Sequence, residues 1–382
     1  MKKIMFLFAL SICCFVSCQG VVDSGEGTDD GGNVNQDDVE LIGKITLHTD
    51  RDVIKADGEY VARLSVTLMD NRGVEHDVTS KVEIYCEGMD EPVTDPDFTT
   101  TEVGEYVFYA LYGFEMSDRV KVRAVEGVAD LPADPDPASL SFAHRMLLVQ
   151  HTGNKCPNCP KLMNILRRIG GDDEYNQLYH HVASHSYNTD DNAFSSAAQT
   201  LSKENNVLGF YPMLSYNLDR NSSNESELAY EMMESTIREH IMELHKDVAD
   251  AGISASATHV GNSVYANISL KTGVTSRYRV AVWLLEDNIH SPQSGADADW
   301  QHMHDNCLRM MCGGTKNECI YGRHIGTVEA GQEFDFIAAI DLEDGWKAEN
   351  CELLIIAVSG TGNYDLVNCT VCPVGDSVPY HY

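Results

Sequence analysis

Two cysteines separated by two residues carry the clearest chemistry in this sequence. Cys156 and Cys159 enclose a Pro-Asn pair, after an apolar run at 146–149 and before a helix-like run at 161–169. The order of strand, CxxC and helix is typical of a thioredoxin-type dithiol site, in which the helix dipole favours the thiolate of the first cysteine. One helical turn brings residues i and i+3 together, close enough for a disulfide. The pattern therefore predicts Cys156 as the attacking thiol and Cys159 as the resolving thiol.

Three other residues bear on that chemistry. Pro212 opens a strand-like run and is the candidate for the cis-proline that faces the dithiol in thioredoxin-like folds. Lys155 would favour the neighbouring thiolate electrostatically, but it stands where thioredoxins carry an aromatic residue. Gln150 stands where they carry a buried acid that assists proton transfer. These departures argue against fast reductase turnover and leave a structural disulfide in a binding domain as the alternative.

The first 40 residues predict export and a lipid anchor. Residues 1–17 combine two lysines with a short apolar core that cannot span a bilayer, which is typical of a signal peptide. Cys18 ends a lipobox-like pattern and is predicted to be lipidated, whereas an ordinary signal peptide is the alternative. Residues 18–40 contain seven acids and no Lys or Arg, which predicts a flexible tether. We expect a lipoprotein attached to the outer membrane by its lipid and facing the periplasm or the cell surface.

The charge of the chain argues against two classes of partner. The sequence has 59 acidic and 27 basic residues, for a formal net charge of −32. Such a chain repels nucleic-acid phosphates and anionic lipid headgroups. We expect neither as a partner, and no motif predicts a cofactor.

The remaining cysteines are predicted to be structural. The sequence has 12 cysteines, and nine remain once Cys18 and the two within the signal peptide are set aside. In oxidising surroundings, six of these are candidates for structural disulfides of undetermined connectivity: Cys307, Cys312, Cys319, Cys351, Cys369 and Cys372. The last two repeat the CxxC spacing, but a zinc site shared with the first motif is the weaker alternative because more than 200 residues separate them. The histidines at 180, 181, 185, 302 and 304 lack the spacing of a metal site, and we predict no metal.

Hydrophobic patterns divide the folded part into three domains. Residues 41–125 contain short strands with period-two alternation, as at 62–68, which predicts an immunoglobulin-like β-sandwich. Residues 126–138 carry four acids and three prolines and predict a stiff linker. Residues 139–250 alternate strands with helices, as in a thioredoxin-like α/β domain. Residues 251–382 return to strands and predict a β-sandwich-like domain.

Individual elements follow from the same patterns. A helix is predicted over 191–204, with Asp190 or Asp191 as its N-cap, and a longer helix over 225–248. Further strands are predicted at 178–186, 264–270, 280–285, 334–340 and 353–358.

From about Ser139 onward, the chain resembles the outer-membrane-protein-28-related lipoproteins of Gram-negative bacteria. The matching motifs lie at 152–160, 182–185, 209–212, 304–309 and 364–368, together with Glu286 and Gln293. The resemblance implies a thioredoxin-like domain fused to a β-rich C-terminal domain, a lipid anchor and an outer-membrane location. His304 and Arg309 match the family motif without a known catalytic role, and Cys307 occupies an aliphatic position of the pattern.

Two functions are consistent with these patterns. The first is thiol–disulfide exchange with cysteine-containing extracytoplasmic proteins through Cys156 and Cys159. The second is surface binding or adhesion without catalysis, in which the pair only staples the domain.

Overall fold

The computed structural model describes residues 41–207, 209–219 and 230–382. The predicted signal peptide, the lipidation site Cys18 and the acidic tether lie outside these described residues. Within the described ranges, no helix has the length and apolar character that crossing a membrane requires.

Residues 41–125 form two β-sheets packed face to face. Their strands are β1 (Leu41–Thr49), β2 (Val53–Lys55), β3 (Ala62–Asp70), β4 (Glu75–Asp77), β5 (Glu83–Cys86), β6 (Asp97–Phe98), β7 (Gly104–Tyr112), β8 (Glu115–Met116) and β9 (Val120–Val125). One sheet has the order β1-β3-β4 with β6 beside β3, and the other has the order β2-β9-β7-β5 with β8 beside β7. Buried and more exposed residues alternate along β3, as the period-two pattern predicts. Apolar side chains from both sheets, with the free thiol Cys86, form one core.

The rest of the chain contributes four helices and fourteen strands to the described structure. They are β10 (Met146–Thr152), α1 (Cys159–Gly170), β11 (Tyr179–His185), α2 (Ser196–Glu204), β12 (Met213–Tyr216), α3 (Tyr230–Leu244), β13 (Ala251–Val260), β14 (Ser263–Thr272), β15 (Ser276–Glu286), β16 (Ile289–His290), β17 (Met303–His304), β18 (Cys307–Met311), α4 (Lys316–Tyr321), β19 (Arg323–Val328), β20 (Glu333–Asp341), β21 (Cys351–Ser359), β22 (Leu366–Pro373) and β23 (Ser377–Val378). The protein is therefore rich in β-structure, with several sheets and few helices.

One eight-stranded sheet continues across residue 250. Its order is β12-β10-β11-β18-β15-β21-β22, with β19 beside β15. β10 and β11 are parallel, whereas β12 runs antiparallel to β10. The junction is a parallel bridge between Ala183 in β11 and Cys307 in β18. Residues 139–250 and 251–382 thus share one sheet rather than forming two separate sheets.

A second sheet packs against the C-terminal half of the first. Its order is β20-β14-β13-β23, and a large apolar core lies between the two sheets. Every position of β14 is buried, because the predicted linker lies along this sheet. The carbonyl of Ala129 accepts hydrogen bonds from Ser256 Oγ (3.1 Å) and Asn267 Nδ2 (3.0 Å). The linker residues are therefore bound to the sheet over part of their length.

The helices differ from the sequence prediction at their ends. α1 begins at Cys159, two residues before the predicted run, and α2 begins at Ser196, five residues after its predicted start. The predicted N-cap of α2 is wrong, because Ser195 accepts the capping hydrogen bond from the Ala198 N–H. Part of the predicted 225–248 helix lies outside the described residues, and α3 ends at Leu244. α1 and α3 cover one face of β10 and β12, and α2 packs on the opposite face.

Candidate functional site

Cys156 and Cys159 form a disulfide in the turn between β10 and α1. Their Cα atoms are 5.5 Å apart. The Cys156 N–H donates to the Gly153 carbonyl (3.1 Å), and the Cys159 N–H donates to the Cys156 carbonyl (3.3 Å), so both residues belong to tight turns. Cys159 is the first residue of α1, followed by a proline in the first helical turn, where its missing N–H costs no hydrogen bond. Cys156 lies in the turn before the helix.

Pro212 lies at the same end of the sheet as the disulfide. The Tyr211–Pro212 peptide bond is cis. Pro212 immediately precedes β12, whose first residue, Met213, pairs with His151 near the end of β10. Because β10 continues into the CxxC turn, the antiparallel register brings the Pro212 turn to the CxxC end of β10.

A segment from the C-terminal half covers the disulfide. This cap segment spans 291–301. Gln293 Nε2 donates to the Cys156 carbonyl (2.9 Å), and Gln301 Nε2 donates to the Pro160 carbonyl (3.0 Å). At Gly295, φ is +73° and an added Cβ would lie 2.4 Å from the Pro157 oxygen, so this close approach requires glycine.

Both sulfur-bearing residues are buried beneath this cap. Cys156 is 2 % exposed and Cys159 is fully buried. The sequence resemblance pointed to Gln293, but no local pattern predicts that a residue more than 130 positions away would contact the CxxC motif. A substrate thiol of macromolecular size therefore reaches this disulfide only when the cap segment moves.

Lys155 is paired with an acid instead of acting on the thiol alone. Its ammonium group forms an ion pair with Asp190, and both side chains are more than half exposed. Pairing compensates much of the lysine charge, and water screens the remainder. The predicted electrostatic support for the thiolate from Lys155 is therefore weaker than the sequence indicated.

Asp191 links the CxxC turn, β11 and the cap segment. Its Oδ2 accepts from His185 Nδ1 (2.8 Å) and from the Asn154 N–H (2.8 Å). Its Oδ1 accepts from Ser291 Oγ (2.8 Å) and from the Ala193 N–H (3.0 Å). Burial opposes ionisation of Asp191, but the hydrogen bonds from His185 and its other donors hold the pKa of Asp191 below its usual range. The predicted cap residue is thus the centre of a buried polar network.

Four of the histidines singled out in the sequence line one cavity beside this network. His180, His181, His185 and His304 border a cavity of about 610 Å³ between α1, the β10–β11 strands and residues 300–306. Burial lowers the pKa of His180, His181 and His304 to about 4, so these three are uncharged at neutral pH. Within the part of the chain that the structure describes, no group of three His, Cys, Asp or Glu residues is arranged to hold a metal ion.

The six cysteines predicted as disulfide candidates are free thiols: Cys307, Cys312, Cys319, Cys351, Cys369 and Cys372. Cys307 and Cys351 both pair with Glu286, from strands on opposite sides of β15. Two strand spacings, about 9.5 Å, then separate them, which exceeds the reach of a disulfide. Cys319 Sγ donates to the Gly313 carbonyl (3.4 Å), and burial raises the pKa of the nearby Cys312 thiol to about 12.

The second CxxC motif lies within a strand. Cys369 packs in the core on one face of β22, and Cys372 packs in the core on the other face. Residues three apart on a strand point to opposite faces, so these thiols cannot bond to each other or converge on one zinc ion. Both the predicted structural disulfide and the zinc alternative therefore lack a geometric basis here.

Together these observations define a β-rich, multi-sheet protein with an oxidised CxxC motif held under a cap. No family model matches the chain, and no curated protein matches it. The fold is similar to that of HBP35 of Porphyromonas gingivalis, with a TM-score of 0.50 and 19 % identity over 63 % of this chain and 78 % of that chain. This likeness concerns the fold alone.

Two further solved structures are more distant. A domain of the outer membrane lipoprotein Omp28 from Porphyromonas gingivalis has a TM-score of 0.24 and 17 % identity, covering 33 % of this chain and 88 % of that chain. Domains 4–9 of the surface layer protein SbsC have a TM-score of 0.18 and 9 % identity, covering 86 % of this chain and 50 % of that chain. Neither superposition supports a conclusion about this protein.

Proposed function

We propose that this protein is an outer-membrane lipoprotein that exchanges disulfides with extracytoplasmic proteins. In this proposal, 139–250 act as a thioredoxin-like domain and 41–125 as an immunoglobulin-like spacer. The observation that carries it is the Cys156–Cys159 disulfide, which spans the turn at the start of α1 and has the cis-bonded Pro212 at the same end of the sheet. A helix N-terminus stabilises a thiolate, which is both the nucleophile and the better leaving group in disulfide exchange.

The exchange proceeds in two displacements. A substrate thiolate attacks Cys156 Sγ, forms a mixed disulfide and releases Cys159 as a thiolate. A second substrate thiolate then attacks the substrate sulfur of the mixed disulfide, which leaves the substrate oxidised and Cys156 and Cys159 reduced. The reverse sequence, begun by the Cys156 thiolate, reduces a substrate disulfide. Neither direction requires a cofactor.

The location rests on the N-terminal sequence. A signal-peptide-like segment, the lipobox-like Cys18 and the acidic tether support a lipid-anchored protein. Cys18→Ala is expected to move the protein from the membrane fraction to the soluble fraction, with Cys86→Ala as a control that stays membrane-bound. Retention of the Cys18→Ala protein in the membrane fraction would refute the anchor.

The exchange is tested by the reduction potential and by turnover. We expect a potential above about −300 mV, the upper bound of typical structural disulfides, and catalysis of insulin reduction or oxidative refolding. Cys156→Ser should abolish turnover, whereas Cys319→Ser, which changes a thiol outside the motif, should retain it. A potential below that bound, with no turnover in either assay, would contradict the proposal.

A second candidate function is surface binding with the disulfide as a staple. The burial of both cysteines beneath the cap segment favours it, because a protein substrate cannot reach a buried sulfur. Gly295→Ala distinguishes the two candidates, since the added Cβ meets the Pro157 carbonyl and should displace the cap. Faster reduction by a small dithiol without any protein-directed turnover would favour the staple. Faster turnover on proteins would favour exchange.

A further inference from the structure

The cavity beside α1 has a polar floor that the disulfide chemistry does not use. Gln150 and Thr152 lie on β10 and His181 lies on β11, all on the face that α1 covers. Gln150 is 3 % exposed and Thr152 is 2 % exposed. The cavity volume, about 610 Å³, falls in the range of small-molecule sites.

Three polar atoms of this floor have no hydrogen-bond partner. They are Gln150 Nε2, Thr152 Oγ1 and His181 Nε2, which make up three of the eight such buried side-chain atoms in the described residues. An unpaired buried donor or acceptor is costly, so most proteins pair such groups or replace them. Three of them around one cavity indicate groups that are satisfied from within the cavity.

The charges around the cavity favour an uncharged occupant. Burial keeps His181 and His304 neutral at pH 7, with pKa values of about 4. His304 faces the Ser291 carbonyl through Nε2 (3.0 Å), and that carbonyl can only accept, so Nδ1 of this neutral ring is left as an acceptor. Arg167 and Asp305 contribute one charge of each sign. The floor thus offers a mixture of donors and acceptors with no net charge.

The walls are flat and apolar. Met163 and Leu166 of α1 form one side, and Trp300 of the cap segment borders the cavity as well. The Arg167 guanidinium lies over the Trp300 ring, 4.4 Å from its centroid, and the exposed position of Arg167 marks the solvent side. Such walls suit a planar ring, which contacts aromatic and thioether surfaces through its faces.

We propose that this cavity binds an uncharged nitrogen heterocycle of the nucleobase type. The ring lies between the apolar walls, and its edge, which carries both donors and acceptors, pairs with Gln150, Thr152 and His181. This site is separate from the proposed disulfide exchange, and its occupant needs no reaction with either cysteine.

Calorimetric titration of the full chain with adenine and with uracil tests the site. Indole, a ring with one donor and no acceptor nitrogen, and benzoate, an anion, serve as comparison probes. We expect at least one base to bind in the micromolar to millimolar range, and Gln150→Leu to weaken it about tenfold or more, as loss of one buried hydrogen bond does. Gln177→Leu, the same change at an exposed position, should leave the affinity unchanged.

The outcomes that overturn the proposal are equally specific. They are no binding of either base at several millimolar, equal binding by wild type and Gln150→Leu, or binding of indole or benzoate as tight as that of the bases. Thermal unfolding of the unliganded variants excludes misfolding as the cause, because removing an unpartnered amide should raise the Tm of Gln150→Leu. If that variant fails to fold, His181→Phe is titrated instead, with the same tenfold loss expected and unchanged affinity refuting the site.

Discussion

The CxxC spacing occurs twice in this chain, and the two copies behave in opposite ways. Cys156 and Cys159 span the turn at the start of α1 and form a disulfide. Cys369 and Cys372 lie within β22, on opposite faces, and both remain thiols. A helical turn brings residues three apart together, whereas a strand separates them. The same four-residue spacing is therefore chemically meaningful only where the backbone turns.

The surroundings of the two motifs differ as much as their backbones. The first motif adjoins a polar region with several buried, uncharged imidazoles. The second lies between two apolar cores, with Glu352 on the neighbouring strand as its nearest partly buried acid. Titration and reduction should therefore affect the two regions differently.

The largest expected effect is acid destabilisation through the histidines near the first motif. Burial lowers the pKa of His151 to about 3 and that of His304 to about 4, from about 6.5. The unfolded chain gains these protons below pH 6.5 while the folded chain does not, so stability is complete above pH 6.5 and is lost as pH falls toward 4. We expect urea unfolding to give a free energy lower by several kcal/mol, at roughly 1.4 kcal/mol per pKa unit, at pH 4.5 than at pH 7.

His151→Gln should reduce that loss. His151 is fully buried between Ser202 Oγ (2.8 Å) and Ser215 Oγ (2.9 Å), so it contributes to the acid sensitivity. His259→Gln, at an exposed position, is the matched control. Identical pH profiles for wild type and His151→Gln would contradict the assignment.

The next effect is the loss of the first disulfide. Cys156→Ser/Cys159→Ser should lower the free energy of unfolding by about 2 kcal/mol, the entropic contribution of a short closed loop. Reduction of the wild type should produce a similar decrease in denaturant melts with and without a phosphine reductant. The double variant should show no further response to the reductant, and a response as large as in wild type would mean that another disulfide exists.

A smaller effect is expected at the second motif. Cys369→Ala and Cys372→Ala each remove one buried sulfur and should cost about 1 kcal/mol, because the space left behind is small. The cost should be the same with and without reductant, as measured by the same melts. A cost that disappears in reductant would show that these thiols are bonded in solution, and the contrast between the two motifs would fail.

The smallest effect concerns Glu352. Burial, with Asp287 and Asp305 adding to it, raises the pKa of Glu352 to about 7 from about 4.5. The folded state then holds a proton that the unfolded state releases, so this contribution is present below pH 4.5 and is lost as pH rises through 7. Glu352→Gln should stabilise the protein at pH 8 by less than about 1 kcal/mol relative to its effect at pH 5, since the side chain is partly solvated. An equal effect at both pH values would refute this.

Local patterns predicted much of the secondary structure. The alternation at 62–68 lies within β3, and the apolar runs near 280 and 353 lie within β15 and β21. The prediction was wrong at the start of α2, because Asp191 is bound by Ser291 and His185 instead of capping the helix. Side-chain hydrogen bonds between residues 100 positions apart leave no signal in a local pattern.

The sequence by itself determined where a dithiol could form, because a strand, a CxxC pair and a helix follow one another within about 25 residues. Only the tertiary structure decided what surrounds it. The sheet that continues through β11 and β18, the cap held by Gln293 and the cavity floor at Gln150 and His181 all join residues distant in the chain. Periodicity reports which backbone geometry a segment prefers and which face it buries, but packing alone selects the partner of that face.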